Sequence, residues 1–145
     1  MTTSIDRIAT EAVPAPAGHY SQATAWRDLI FVSGQLGPRS DGRHTADQSF
    51  EVQVRQTLAN LLAILDRAGA GPGQVLRVTA YIVGVDNWPE FNRIYAEVFG
   101  AAKPARTVVP VPELHHGYLV EIDAIAVRAE VDGMNDRPVP VIDPK

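Results

Sequence analysis

The chain has 145 residues and a mass of 15.7 kDa, a length that suits one domain and argues against two. Hydrophobic residues make up 46% and charged residues 21%, near globular averages, which excludes disorder of the whole chain. A net charge of −4 without a basic stripe argues against a nucleic-acid partner, and the absence of cysteine removes disulfides, thiolate metal sites and cysteine nucleophiles together. No apolar run approaches the roughly 20 residues that span a bilayer. The opening MTTSIDRIATEA carries Asp6 and Glu11 and has no apolar core, so it does not read as a secretory signal. No membrane association and a cytoplasmic location are the expectations.

Residues 1–13 read as an N-terminal arm, 14–131 as one domain and 132–145 as a tail rich in proline. Ala12 to Gly18 contains two prolines and must run extended. Gln22 to Trp26 and Leu29 to Gly34 are strand candidates around a tight turn at Arg27-Asp28. GPRSDGR, from Gly37 to Arg43, is a loop. Asp47 to Ala68 is the clearest helix. Phe50, Val54, Leu58, Leu61, Leu62 and Leu65 share one face, Asp47 or Ser49 can cap its start, and Gly69 stops it. Glu51, Gln53, Gln56 and Asn60 fall mainly off that stripe.

Gln74 to Val85 reads as a strand. A second helix runs from Asn87 to near Phe99, with Asn87 and Glu90 at capping-box spacing, Pro89 in its first turn and Gly100 as its stop. Thr107 to Val111 is a short strand whose Pro110 marks a sheet edge or a strand end. Tyr118 to Val131 is the last strand. The order ββαβαββ gives an α+β domain with one sheet and two helices on one face. The last strand carries apolar groups on both faces, so the uncovered face predicts a homo-oligomer.

Few residues carry chemistry. His115 and His116 would point apart in an extended chain, and no HxH or HExxH occurs, so no metal site is expected. No serine sits in a nucleophile elbow. Ser33 ends a strand, where it can serve the backbone or a ligand. Arg106 opens RTVVPV among small and apolar residues. It reads either as a surface arginine or as a two-donor clamp for a carboxylate. Glu121 and Asp123 share a face within YLVEIDAIAV. They are either edge-strand charges or a poised acid/base.

GHYSQA, FVSGQ, QVRQTLANLLAIL, FNRIYAEVFG, PARTVV and LVEIDAIAV together resemble the Rid family (reactive intermediate deaminases, YjgF-like), in that family's order, over roughly residues 14–130. The resemblance implies a chorismate-mutase-like fold with one mixed sheet and a homotrimer with ligand sites between subunits. It implies cofactor-free hydrolysis of 2-aminoacrylate and 2-iminobutanoate to 2-keto acids and ammonia. It carries over Arg106 as the carboxylate-binding arginine, Glu121 as the residue that handles water and Tyr20 at the catalytic pocket. Ser33, Asn92 and the Val108 carbonyl carry over as substrate contacts. The chain departs from the family pattern at His19, at Pro110 and in the loop PELHHG, where His115 and His116 are candidates for tuning the pocket. Two alternatives stand beside this reading. One is a deaminase or hydrolase of a larger amino- or imino-acid such as 2-aminomuconate. The other is a non-catalytic trimer that binds small carboxylates.

Overall fold

The computed structural model describes residues 4–129. The expected tail, 132–145, lies outside them. The elements are β1 (Asp6–Ile8), β2 (Ala23–Trp26), β3 (Leu29–Gln35), α1 (Phe50–Ala68), β4 (Val75–Val83), α2 (Trp88–Phe99), β5 (Ala105–Val111) and β6 (Val120–Val127). They form one six-stranded mixed sheet of order β1-β2-β3-β6-β4-β5. Among the described residues only β4 and β5 pair in parallel. Both helices cover the same face.

The element order gains one strand over the expected ββαβαββ. β1 lies in the stretch read as an arm and pairs with β2, Arg7 opposite Thr24. Its sequence, DRI, has no apolar alternation, because it sits at an edge and buries little. The last strand is shorter than expected. Before it, Leu119 N–H donates to Gln53 Oε1 at 2.9 Å; after it, Arg128 N–H donates to Asp28 O at 2.7 Å in the β2–β3 turn. That turn contains no glycine, and Arg27 takes the left-handed conformation itself, φ 55°. β5 starts two residues earlier than expected, at Ala105, and Pro110 lies on it. As an edge strand it tolerates the missing N–H.

α1 begins at Ser49, whose hydroxyl accepts the Val52 N–H, and ends at Gly69, φ 91°. α2 starts without the expected capping box. The Asn87 side chain donates instead to Val83 O at 2.9 Å, which ties the helix start to the end of β4. The core joins Val54, Leu58, Leu61 and Leu65 of α1 to Ile94 of α2 and to Val78, Ile82 and Ile122 of the sheet, all fully buried. Ile64 belongs to it as well, and Leu62 packs at its margin.

Three polar side chains of α1 are buried, against expectation for Gln53 and Asn60. Gln53 donates to Ala46 O and Gln48 O and accepts from Leu119. Asn60 donates to Leu36 O and Pro38 O. Thr57 lies between them in the sequence. Gln53 and Asn60 face the 36–48 loop rather than water, and the loop's backbone satisfies them, whereas Thr57 Oγ1 is buried without a hydrogen-bond partner among the described residues. A Cβ on Gly37 would lie 3.0 Å from Thr57 Oγ1 and 3.1 Å from Gln53 O, so the loop packs closely on the helix there.

Among the described residues the other sheet face carries no helix. Across it run Thr24, Phe31 and Ile125 in one row and Glu121, Tyr81 and Val109 in another. Phe31 and Trp26 are exposed at 42% and 40%, which is high for aromatic residues within a sheet. Among the described residues no helix is long and apolar enough to cross a membrane.

Candidate functional site

A cavity of about 690 Å³ opens beside the end of β3 and the start of β6. Gln22 builds one wall. Its buried amide accepts the Thr10 N–H and donates to Thr10 O and Pro14 O, holding the Pro14–Gly18 stretch against the sheet. Ser33 fixes the adjoining strands. Its hydroxyl donates to Ser21 O at 2.6 Å, and its N–H to Gln22 O at 3.0 Å. Tyr20 lies at the mouth, 54% exposed.

Glu121 enters this cavity from β6. It lies between Val120 and Ile122, both fully buried on the helix side, so strand alternation turns it to the open face. A register shift in β3 between Val32 and Gln35 brings Gly34 against it. A Cβ on Gly34 would collide with Glu121 Oε1 and lie 3.2 Å from its Cδ. Burial pushes the Glu121 carboxyl above its ordinary value, and the Asp123 charge adds to the rise, while His115 opposes it. Asp123 is also raised, by burial, against the Thr79 N–H and the Arg77 charge.

The two adjacent histidines do not point apart. His115–Gly117 forms a single 3₁₀ turn, not an extended segment, with His116 left-handed at φ 59°. The His115 and His116 rings stack at 3.8 Å and 18°. His44, from the 36–48 loop, lies 4.6 Å from His116 and extends the stack. The buried Tyr118 hydroxyl accepts the Thr45 N–H at 3.1 Å and shares a second hydrogen bond with His44 Nδ1 at 2.8 Å. All three rings line the cavity. Desolvation and the neighbouring imidazoles hold His116 below the ordinary histidine value. Among the described residues no group of three or more His, Asp or Glu is placed to hold a metal ion.

Arg106 is elsewhere. Its row across the sheet runs Ala23, Val32, Ala124, Val78, Arg106, and the first four are buried under the helices. Arg106 therefore faces the helix side, at the free edge of β5. Its Cζ lies 4.8 Å from the Tyr95 ring centroid and 5.7 Å from that of Phe91. It lines a smaller cavity of about 200 Å³ with Phe99 and Pro104. Burial pushes the Tyr95 hydroxyl up to about 12. Asn92 is exposed on α2, and Val108 is half-buried on β5.

Within one chain, then, Tyr20, Ser33, Glu121, His115 and His116 come together, and Arg106 lies on the opposite face of the sheet with Asn92 and Val108 on its neighbouring elements. Sequence reasoning missed His44 and the structural parts played by Gln22 and Gly34. Gln22 and Gly34 lie inside the quoted GHYSQA and FVSGQ, which is a signal of sorts. His44 has none, because only the fold brings it to His116.

Residues 10–128 match the model of the family described as Endoribonuclease L-PSP. A RutC family protein of Pyrococcus horikoshii is 38% identical over 121 residues, covering 83% of this chain and 96% of the relative. A protein of Dermatophagoides farinae named 2-iminobutanoate/2-iminopropanoate deaminase is 31% identical over 120 residues, covering 83% and 94%. The crystal structure of the YjgF gene product of E. coli superposes with a TM-score of 0.80 at 32% identity, covering 86% of this chain and 99% of that one.

Proposed function

The chain belongs to the Rid/YjgF family of the L-PSP description, and on that premise we propose that it is a cofactor-free hydrolytic deaminase of imine and enamine acids, such as 2-iminobutanoate and 2-aminoacrylate, acting as a homotrimer with its sites between subunits. The observation that carries the reading is Glu121. It is a half-buried carboxylate that binds a proton more readily than usual, in a cavity beside Tyr20 and Ser33. Such a group can take a proton from water and return it within one turnover.

The chemistry balances without a further reagent. Water adds to the carbon of the C=N bond. Glu121 takes one of its protons as the C–O bond forms, and the nitrogen gains a proton. The carbinolamine then expels ammonia and leaves a 2-keto acid. An enamine joins this route once a proton on its terminal carbon converts it to the imine. The Arg106 guanidinium, held against Tyr95 and Phe91, offers a fork for the substrate carboxylate, and orientation of this kind lowers barriers by several kcal/mol.

Because Arg106 and Glu121 occupy opposite faces of one sheet, the reading requires that Arg106, with Asn92 and the Val108 carbonyl, serve the cavity of a neighbouring subunit. The exposed edge of β5 and the uncovered aromatic residues Trp26 and Phe31 suit such an assembly. The net charge of −4 weighs against RNA as a substrate.

The test is keto-acid release when the protein is added to a pyridoxal-phosphate dehydratase acting on serine or threonine. We expect acceleration that Arg106→Ala and Glu121→Gln each abolish, in variants that keep the parent's mass by light scattering. Mixing the two variants after subunit exchange should recover activity, since some sites then hold one intact Arg106 and one intact Glu121. Normal turnover by folded Arg106→Ala would sink the clamp. No acceleration by a folded trimer would move the weight to a carboxylate-binding protein without catalysis.

A further inference from the structure

The imidazole stack has no part in the chemistry above. Of the ionisable groups that the described residues of this chain bring to the cavity, Glu121, Tyr20, Tyr118, His44, His115 and His116, only the three histidines can become cationic, and the Arg106 that a neighbouring subunit would add is committed to the first carboxylate. On the 36–48 loop, Arg43, adjacent to His44 in the chain, is paired with Asp41 at 2.7 Å, and Arg39 donates to Gln56 Oε1 at 3.4 Å. Among the described residues, neither the His115 nor the His116 side chain has a hydrogen-bond partner, so their N–H groups are free for a ligand. His116 also holds a left-handed backbone that a non-glycine residue adopts at a cost, and strain of this kind concentrates at ligand sites. Tyr118 locks His44 in place. The faces of the rings stack, so their lone pairs do not converge as a metal would need.

We propose that His44, His116 and His115 form a subsite for a second carboxylate on the substrate, so that the chain prefers an imino acid with a distal carboxylate over one with an alkyl side chain. The inference rests on the deaminase reading and deepens it. Desolvation and the two neighbouring rings disfavour a positive charge on His116. A carboxylate against their edges supplies the compensating charge, so binding draws in a proton. The cavity volume lies within the range of pockets for ligands well above three or four carbons, about 300–1,000 Å³.

The experiment is calorimetric titration of the whole protein with 2-oxoglutarate and with 2-oxobutanoate, which differ in the distal carboxylate. It is run at pH 6.5 in two buffers of different ionisation enthalpy. We expect 2-oxoglutarate to bind at least tenfold more tightly, with net proton uptake. Uptake should persist in Glu121→Gln, because His116 and not Glu121 takes the proton. The ratio of the two affinities should fall towards one in His115→Phe, which keeps a ring in the stack. It should fall likewise in His116→Asn, which suits the left-handed backbone. A ratio near one in the parent, no binding of 2-oxoglutarate at millimolar concentration, or a ratio unmoved in both variants would overturn the subsite. Failure of the deaminase reading is read separately. Keto-acid release would then be absent while the affinity ratio persists. Failure of the subsite alone leaves release intact with a ratio of one.

Discussion

Replacing Gly34 with alanine puts a methyl group where the Glu121 carboxylate now lies. The added Cβ would overlap Oε1 and approach Cδ at 3.2 Å and Cγ at 3.4 Å, so the carboxylate has to swing away by about 1 Å. The backbone does not object, because Gly34 is not among the glycines with positive φ. Two stability terms oppose each other. Alanine restricts the unfolded chain and stabilises by about 0.4–1 kcal/mol. Forcing Glu121 off its rotamer costs about 0.5–1.5 kcal/mol. The net is within about 1 kcal/mol, or a Tm within about 4 °C of the parent. Activity responds differently, since displacing a reacting group by about 1 Å lowers turnover by about 10²-fold. Scanning calorimetry and the coupled keto-acid assay on one preparation separate the two effects. Parent-like turnover by Gly34→Ala would refute the placement of Glu121 as the group that handles water.

Other consequences follow from packing and charge. Leu61→Ala opens a cavity at the centre of α1 and should cost about 2–5 kcal/mol, read as a lower urea midpoint. Gln53→Leu strands the Leu119 N–H and the carbonyls of Ala46 and Gln48, for a loss of about 1–3 kcal/mol in the same assay. The raised Glu121 carboxyl means that the folded chain holds this proton more tightly than the unfolded chain does. Its contribution to stability is present below the ordinary carboxylate range and is lost as pH rises through the raised value. Glu121→Gln should therefore melt above the parent at pH 7, with the gap closing as pH falls to about 4, where the parent carboxyl is itself protonated.

The fold was legible where one force dominates. The apolar stripes of α1 and α2, the glycine stop at Gly69 and the edge proline at 110 each follow from a local rule, and the uncovered sheet face follows from β6 alone. What stayed hidden depends on partners distant in sequence. β1 buries too little to show a pattern. Gln53 and Asn60 look like solvent residues until the 36–48 loop lies on them. His115 and His116 look divergent until Gly117, at φ 77°, and the left-handed His116 fold them into a turn. The candidate site residues were named by resemblance to a family motif, which carried no sign of their division between two sheet faces. It follows from counting register from Ala124 through Val78 to Arg106, which needs the strand order.

That strand order also governs how the protein can be made. β6 is the last described strand in the chain, yet it sits in the middle of the sheet, between β3 and β4. A nascent chain that has not yet delivered Val120–Val127 therefore holds two half-sheets, β1-β2-β3 and β4-β5, each with a bare hydrogen-bonding edge. Folding on the ribosome must wait for nearly the whole domain to emerge, and any pause before residue 120 prolongs the exposure of those edges to other chains.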